Sequence, residues 1–168
     1  MTQRSRGSSR KKVATAKADG PSVKMNGSNG SSIATGNYRR FIENLPVLFY
    51  VVDSKPPYSP LYVSPAFERF GYPLEDWLND PDMWLRVIHP EDREWVFNQT
   101  LESTSSGKEV DYEYRVFAKS GEMHWVRDRG CLIRDENGEV ICREGIMLDI
   151  TARIRTEEEL KHSEEKYR

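Results

Sequence analysis

The sequence predicts an α+β domain: a five-stranded antiparallel sheet with short helices on one face, an N-terminal cap helix and a C-terminal linker helix. Three observations carry this expectation. The last third holds three strand-like runs joined by two tight turns, Ser120-Gly121 and Asp135-Glu136-Asn137-Gly138; the second is a strong hairpin signal, because Asn and Gly accept positive φ. Two β-prone runs, 47–53 and 61–63, lie ahead of it. Between the two groups stands a Pro-punctuated string of short helices, and the last strand passes almost without a linker into a charged helix.

Each element has a local reason. Tyr38, Phe41, Ile42 and Leu45 recur at helical spacing before Pro46, which stops the turn. The Pro-rich segment 54–60 connects the first two strands irregularly. Ser64 is placed to cap a helix with Pro65 in its first turn, Phe67 and Phe70 as apolar face and Gly71 as stop. Segments 73–78 and 82–88 read as further helical turns. His89-Pro90-Glu91-Asp92-Arg93 opens a longer helix, with proline and acids where a helix N-terminus favours them. From 111 to 119 the chain alternates, with Tyr112, Tyr114, Val116 and Ala118 on one face and Glu113, Arg115 and Phe117 on the other. Met123–Arg134 and 140–150 complete the meander.

Charge divides the chain at Gly36-Asn37. Residues 1–36 carry seven basic residues against one acid, or +6, and the remainder carries 18 basic and 26 acidic residues, or −8. The first part is rich in Gly, Ser, Ala and Thr and lacks aromatics, which predicts a disordered basic leader rather than a nucleic-acid arm. No apolar run suits a secretory signal or a membrane span, so a cytoplasmic chain is expected. Cys131 and Cys142 fall in strands without a CxxC pair, so a zinc site or disulfide framework is not indicated. No nucleophile–base pair, phosphate loop or metal cluster is readable, and the domain is expected to regulate rather than catalyse.

Nine short motifs in this order resemble the PAS fold, in the branch that closes on an Asp-Ile-Thr triplet. They are Asn44-Leu45-Pro46, Tyr62-Val63-Ser64-Pro65, Phe70-Gly71-Tyr72, Trp77, His89-Pro90-Glu91-Asp92-Arg93, Glu113-Tyr114-Arg115, Trp125-Val126, Asp135-Glu136-Asn137-Gly138 and Asp149-Ile150-Thr151. The resemblance spans about residues 38–155, within a domain placed at 37–150. It implies a sensory or relay module that controls a histidine kinase, diguanylate cyclase or similar output through a helical linker. It also implies a ligand cup between sheet and helices.

Strand alternation points Leu48, Tyr50, Val52, Tyr112, Tyr114, Val116, Val126, Asp128, Gly130, Gly145 and Met147 into that cup. Each competes with a plain core role. Asp128 stands out, because an inward carboxylate must be paired or must meet a polar ligand. A salt bridge to a nearby Arg, or a twist to the rim, is the structural alternative. The flavin branch of the family implies an adduct-forming Cys in the helical region and polar residues where this chain has Val116, Val126 and Met147, so flavin is not expected. Haem is not expected either, since His89 suits a helix start, although a haem- or other cofactor-bearing sensor is kept as the alternative. His124 and His162 suggest no metal site. A small-molecule ligand remains open.

Phe49, Val51, Phe117, Trp125, Ile146 and Leu148 make the opposite face too apolar for water. The 38–45 helix or a second copy of the chain is expected to cover it, so a homodimer is predicted. Thr151 is placed to cap the final helix (151–168), and Glu157 to pair with Lys161. One seam runs from Asp149 through Arg153, Thr156, Leu160 and Ser163 to Tyr167. With so few apolar residues it would pair weakly, as the start of a coiled-coil linker. Asp149, Ile150, Thr151, Leu160 and Tyr167 are therefore the expected transmission residues. The closing Tyr167-Arg168 repeats Tyr38-Arg39, which fits a covalently linked further domain or output domain beyond the chain.

Overall fold

The structure, a computed structural model, describes residues 40–167. The expected basic leader and Tyr38 lie outside that range. A helical turn, α1 (40–44), leads to β1 (Leu48–Asp53), β2 (Pro60–Val63), a 3₁₀ helix (Pro65–Phe70), α2 (Leu74–Asn79), α3 (Met83–Val87), α4 (Pro90–Ser106), β3 (Val110–Phe117), β4 (Met123–Arg134), β5 (Val140–Asp149) and α5 (Thr151–Lys166). The strands form one antiparallel sheet in the order β2-β1-β5-β4-β3.

This order follows from three local hairpins and one long-range pairing. The β1–β2 and β3–β4–β5 units each fold back on themselves. β1 then docks on β5, with Leu48 opposite Met147 and Tyr50 opposite Gly145. Since β2 and β3 end up on opposite edges, the chain between them must cross one face of the sheet. The 3₁₀ helix and α2–α4 make that crossing and bury their apolar side chains on it.

The crossing is clamped to the edge strand. Arg115 of β3 grips Asp92 in the first turn of α4 through Nε at 2.9 Å and Nη2 at 2.5 Å, and reaches Glu91 at 2.9 Å. These hydrogen bonds hold the Asp92 carboxyl below its ordinary value. The His89 amide donates to the Arg115 carbonyl at 2.8 Å, while His89 Nδ1 accepts from the Glu91 amide. The His-Pro-Glu-Asp-Arg and Glu-Tyr-Arg motifs are thus two halves of one joint, with a bidentate Arg–carboxylate geometry that favours specificity. Gly107 ends α4 at φ 73°, and Gly138 forms the β4–β5 turn at φ 84°, conformations that disfavour any side chain.

Three local expectations are corrected. Among the described residues the N-terminal helix covers 40–44, and its Phe41 is 62 % exposed and Leu45 also exposed, so these two side chains do not cover the sheet. Ser64 does not cap the 3₁₀ helix. Its hydroxyl accepts from the Phe49 amide at 3.0 Å and donates to the Val47 carbonyl at 3.1 Å, closing the start of β1 instead. Glu157 is engaged by Arg153 at 3.0 Å, one turn before it, rather than by Lys161.

Candidate functional site

Between the sheet and the crossing helices lies a cavity of about 80 Å³. The sheet contributes Tyr50, Val52, Tyr112, Asp128, Arg143 and Met147; the helical side contributes Phe67, Trp77, Trp84 and Thr100; Tyr58 and Pro60 stand at the β1–β2 loop. Five of the eleven residues that alternation points into the cup line this cavity: Tyr50, Val52, Tyr112, Asp128 and Met147. The other six do not. Leu48, Val116 and Val126 are sealed in the packed cluster with Phe70, Val87 and Ile88, where helices press directly on the sheet. Tyr114 is equally buried but is tied to the cavity through its hydroxyl.

Asp128 is the centre of this interior. It is 3 % exposed and, among the described residues, forms no salt bridge. Instead, Tyr50 donates to Oδ1 at 2.8 Å and Tyr114 to Oδ2 at 3.0 Å. Trp84 Nε1 donates in turn to the Tyr114 hydroxyl at 3.2 Å. Burial, and then the negative charge of Asp128, pushes both phenols well above the ordinary tyrosine range. They stay protonated and remain donors. The backbone prepares this geometry: a Cβ on Gly145 would lie 2.3 Å from the Tyr50 ring, and one on Gly130 would lie 2.8 Å from its hydroxyl. The Gly130–Gly145 cross-strand pair is the floor on which Tyr50 lies to reach Asp128.

Sequence reasoning missed Arg143. It is 3 % exposed, lines the cavity, and donates from Nη1 to Ser103 Oγ at 3.0 Å and from Nη2 to Thr104 Oγ1 at 2.8 Å. Both hydroxyls spend their own protons on backbone carbonyls of Lys108 and Thr100. Among the described residues the guanidinium has no carboxylate within ion-pair distance. The signal was available, because alternation through Met147 and Gly145 places Arg143 inward. Trp77 is a second omission: it lines the cavity, and its buried indole N–H has no hydrogen-bond partner among the described residues.

The second constellation sits where β5 becomes α5. Asp149 Oδ1 accepts from the Thr151 amide at 3.0 Å and the Thr151 hydroxyl at 2.6 Å, and His124 Nδ1 lies 3.1 Å from Oδ2. Burial opposes ionisation of Asp149, but the bonds from Thr151 and His124 prevail and hold its carboxyl below the ordinary value. Thr151 does not cap α5 as its sequence position suggested; its Oγ1 accepts from the Trp125 amide at 2.9 Å. The Ile150 amide donates to the Trp125 carbonyl at 2.9 Å. Helix and sheet are thereby stitched at Trp125, and Arg153 adds an ion pair to Glu113 at 2.7 Å. Leu160 and Tyr167, the distal transmission residues, are 61 % and 86 % exposed.

On the outer face, Phe49, Phe117, Trp125, Ile146 and Leu148 are all half-buried within the chain. Phe49 lies opposite Ile146, Arg115 stacks on Trp125 at 5.8 Å, and Phe117 lies 5.2 Å from the His89 ring. His89 is thus engaged as a helix start and ring partner. Among the described residues, neither His nor Cys lines the cavity, and no group of three or more His, Cys, Asp or Glu is placed to hold a metal. The cavity is also well below the roughly 300–1,000 Å³ of ordinary drug-sized sites. Among the described residues the cavity wall thus offers no His to ligate a haem iron and no Cys to form a flavin adduct.

Burial pushes the Asp128 carboxyl up to about 6, against the opposing effects of Tyr50, Tyr114 and Arg143. The native state therefore holds the proton more tightly than the unfolded chain. Stability contributed here is complete below the ordinary value of 3.8 and is lost as pH rises through about 6. We expect the wild type to lose about 2 kcal/mol relative to Asp128→Asn between pH 4 and pH 7. Urea denaturation of both proteins across that range checks this, and a flat difference would contradict it.

Comparison with known proteins accords with this architecture. The profile of the family described as PAS fold matches residues 60–147. A methyl sulfide methyltransferase-associated sensor of Methanosarcina acetivorans is 35% identical over 121 residues, covering 71% of this chain and 12% of that protein. The two-component sensor PprA of Pseudomonas aeruginosa is 29% identical over 140 residues, covering 80% of this chain and 14% of that protein. The chain thus spans a small fraction of the curated relatives it matches. Among solved structures, the N-terminal domain of a diguanylate cyclase with PAS/PAC sensor from Marinobacter aquaeolei superposes with TM-score 0.59 at 29% identity, covering 64% of this chain and 97% of that one. A light-oxygen-voltage domain studied with a flavin analogue superposes with TM-score 0.59, covering 76% of this chain and 93% of that one, but at 20% identity it shows the fold alone. With its sheet order, its crossing helices and its profile match in agreement, the chain belongs to the PAS fold family and is a sensory module of signal transduction.

Proposed function

We propose that this domain senses a small molecule held in the cavity around Asp128 and Arg143 and passes the signal through the Asp149-Ile150-Thr151 junction into α5 and a linked output domain. One observation carries the reading. Strand β5 serves both constellations: alternate residues Arg143 and Met147 wall the cavity, and Asp149, the next inward position, anchors α5. Asp149 also lies opposite Val126, two residues along β4 from Asp128, or about 7 Å of strand. A ligand that displaces β5 or reorganises Asp128 acts on strands shared with the α5 anchor.

The output belongs to the parent protein, and a histidine kinase or diguanylate cyclase is the class that the similar sensors favour. We assign the half-buried strip of Phe49, Trp125, Ile146, Leu148 and Phe117 to a homodimer interface, with the exposed Leu160 and Tyr167 continuing the contact along α5. The described residues include no helix long and apolar enough to cross a membrane, and a cytoplasmic location is part of this proposal.

Two experiments test the reading. Native mass spectrometry of the chain purified from cells reports subunit number and retained ligand together; a dimer is expected, and a monomer at micromolar concentration would contradict the interface. Asp149→Ala removes the acceptor that holds the first turn of α5 and should cost about 0.5–2 kcal/mol, the usual loss for a helix-start acceptor. The domain should stay folded. In the full-length parent, that variant should lose signal-dependent output; an unchanged response would move the transmission point elsewhere.

A further inference from the structure

The polar groups of the cavity are not balanced. Both oxygens of Asp128 already accept a tyrosine hydroxyl. The donors are in surplus: the Arg143 guanidinium meets only the neutral oxygens of Ser103 and Thr104 among the described residues, and the Trp77 indole N–H meets nothing. The guanidinium is 3 % exposed and, among the described residues, contacts no anion; Asp128 acts on it only across the cavity, so an acid group in direct contact would compensate it more fully. Asp80, the other acid on the cavity wall, is engaged by Arg86. Apolar and aromatic side chains make up much of the rest of the wall, among them Val52, Val63, Val110, Tyr112 and Met147.

We propose that the cavity binds a small organic carboxylate, its acid group on Arg143 with the Trp77 N–H as a further donor and its apolar body against Val52, Val63 and Met147. The inference rests on the reading of the domain as a ligand sensor and names the ligand class. An amine is the opposite choice, and the six aromatic residues on the cavity wall offer faces that attract cations. It is disfavoured here because Arg143 already places a positive charge in the same space, while the lone pairs of Asp128 facing its neighbours are engaged. A carboxylate satisfies the guanidinium through charge-assisted hydrogen bonds, and a neutral amide of the same shape does not.

The test is thermal unfolding of the full 168-residue chain at pH 7 with butyrate, benzoate, the matched amides butyramide and benzamide, and butylamine. A ligand that binds only the native state raises Tm with its concentration. The carboxylates should raise it, the amides should need roughly tenfold more for the same shift, and the amine should leave it unchanged. Arg143→Gln should abolish the carboxylate shift. Because Arg143 also holds Ser103 and Thr104, Trp77→Phe serves as a second variant: it keeps an aromatic ring, loses the N–H, and should weaken carboxylate binding several-fold. Amides or the amine shifting Tm as strongly as the carboxylates would overturn the carboxylate assignment while leaving a ligand-binding cavity. An unchanged carboxylate shift in both variants would overturn the placement of the acid group. Silence of all five compounds would overturn the assignment and the ligand-sensor reading together.

Discussion

The rest of the domain is arranged around one buried carboxylate held by two phenols. Asp128 on β4 receives Tyr50 from β1 and Tyr114 from β3, so a single side chain links three strands across the width of the sheet. The arrangement demands much of its surroundings. Tyr50 reaches Asp128 only because Gly130 and Gly145 leave room for its ring. Tyr114 is fixed from above by Trp84, which ties α3 to the same network. Buried polar networks of this kind specify one packing when every member is satisfied, and they become costly when one member is lost.

The same constraint explains why the domain has a cavity at all. Where Leu48, Val116 and Val126 face the helices, packing is continuous; where Asp128 and Arg143 stand, polar groups hold the walls apart. Neutral hydroxyls on α4 position the guanidinium but leave its charge uncompensated by contact. The interior is thus preorganised for a polar ligand atom, with the cost of ordering Arg143 met during folding rather than at binding. Strand β5 connects this interior to the α5 anchor without an intervening loop, which gives the mechanical link a short and definite path.

Much of this was legible in the sequence, because β alternation is a strict geometric rule. It points Tyr50, Val52, Tyr112, Asp128 and Met147 to the face that lines the cavity, and it singles out Asp128 as the inward carboxylate. The same rule extended two residues further, from Gly145, reaches Arg143. Helical contributors such as Trp77 and Thr100 were not legible, since they depend on how short helices cross the sheet rather than on local period. The capping residues failed for a related reason. Ser64 and Thr151 both occupy sequence positions that favour helix caps, yet each hydroxyl bonds to a strand backbone, where tertiary contact overrides local preference.

The state of Asp128 can be read directly from the carboxyl carbon resonance of ¹³C-labelled aspartate as pH is varied. We expect a midpoint near 6, moving higher in Tyr50→Phe because a donor to the charged form is lost. A midpoint at or below the ordinary aspartate value, unaffected by that substitution, would mean that the carboxylate is open to water or paired with a cation, and that the interior is not built around it.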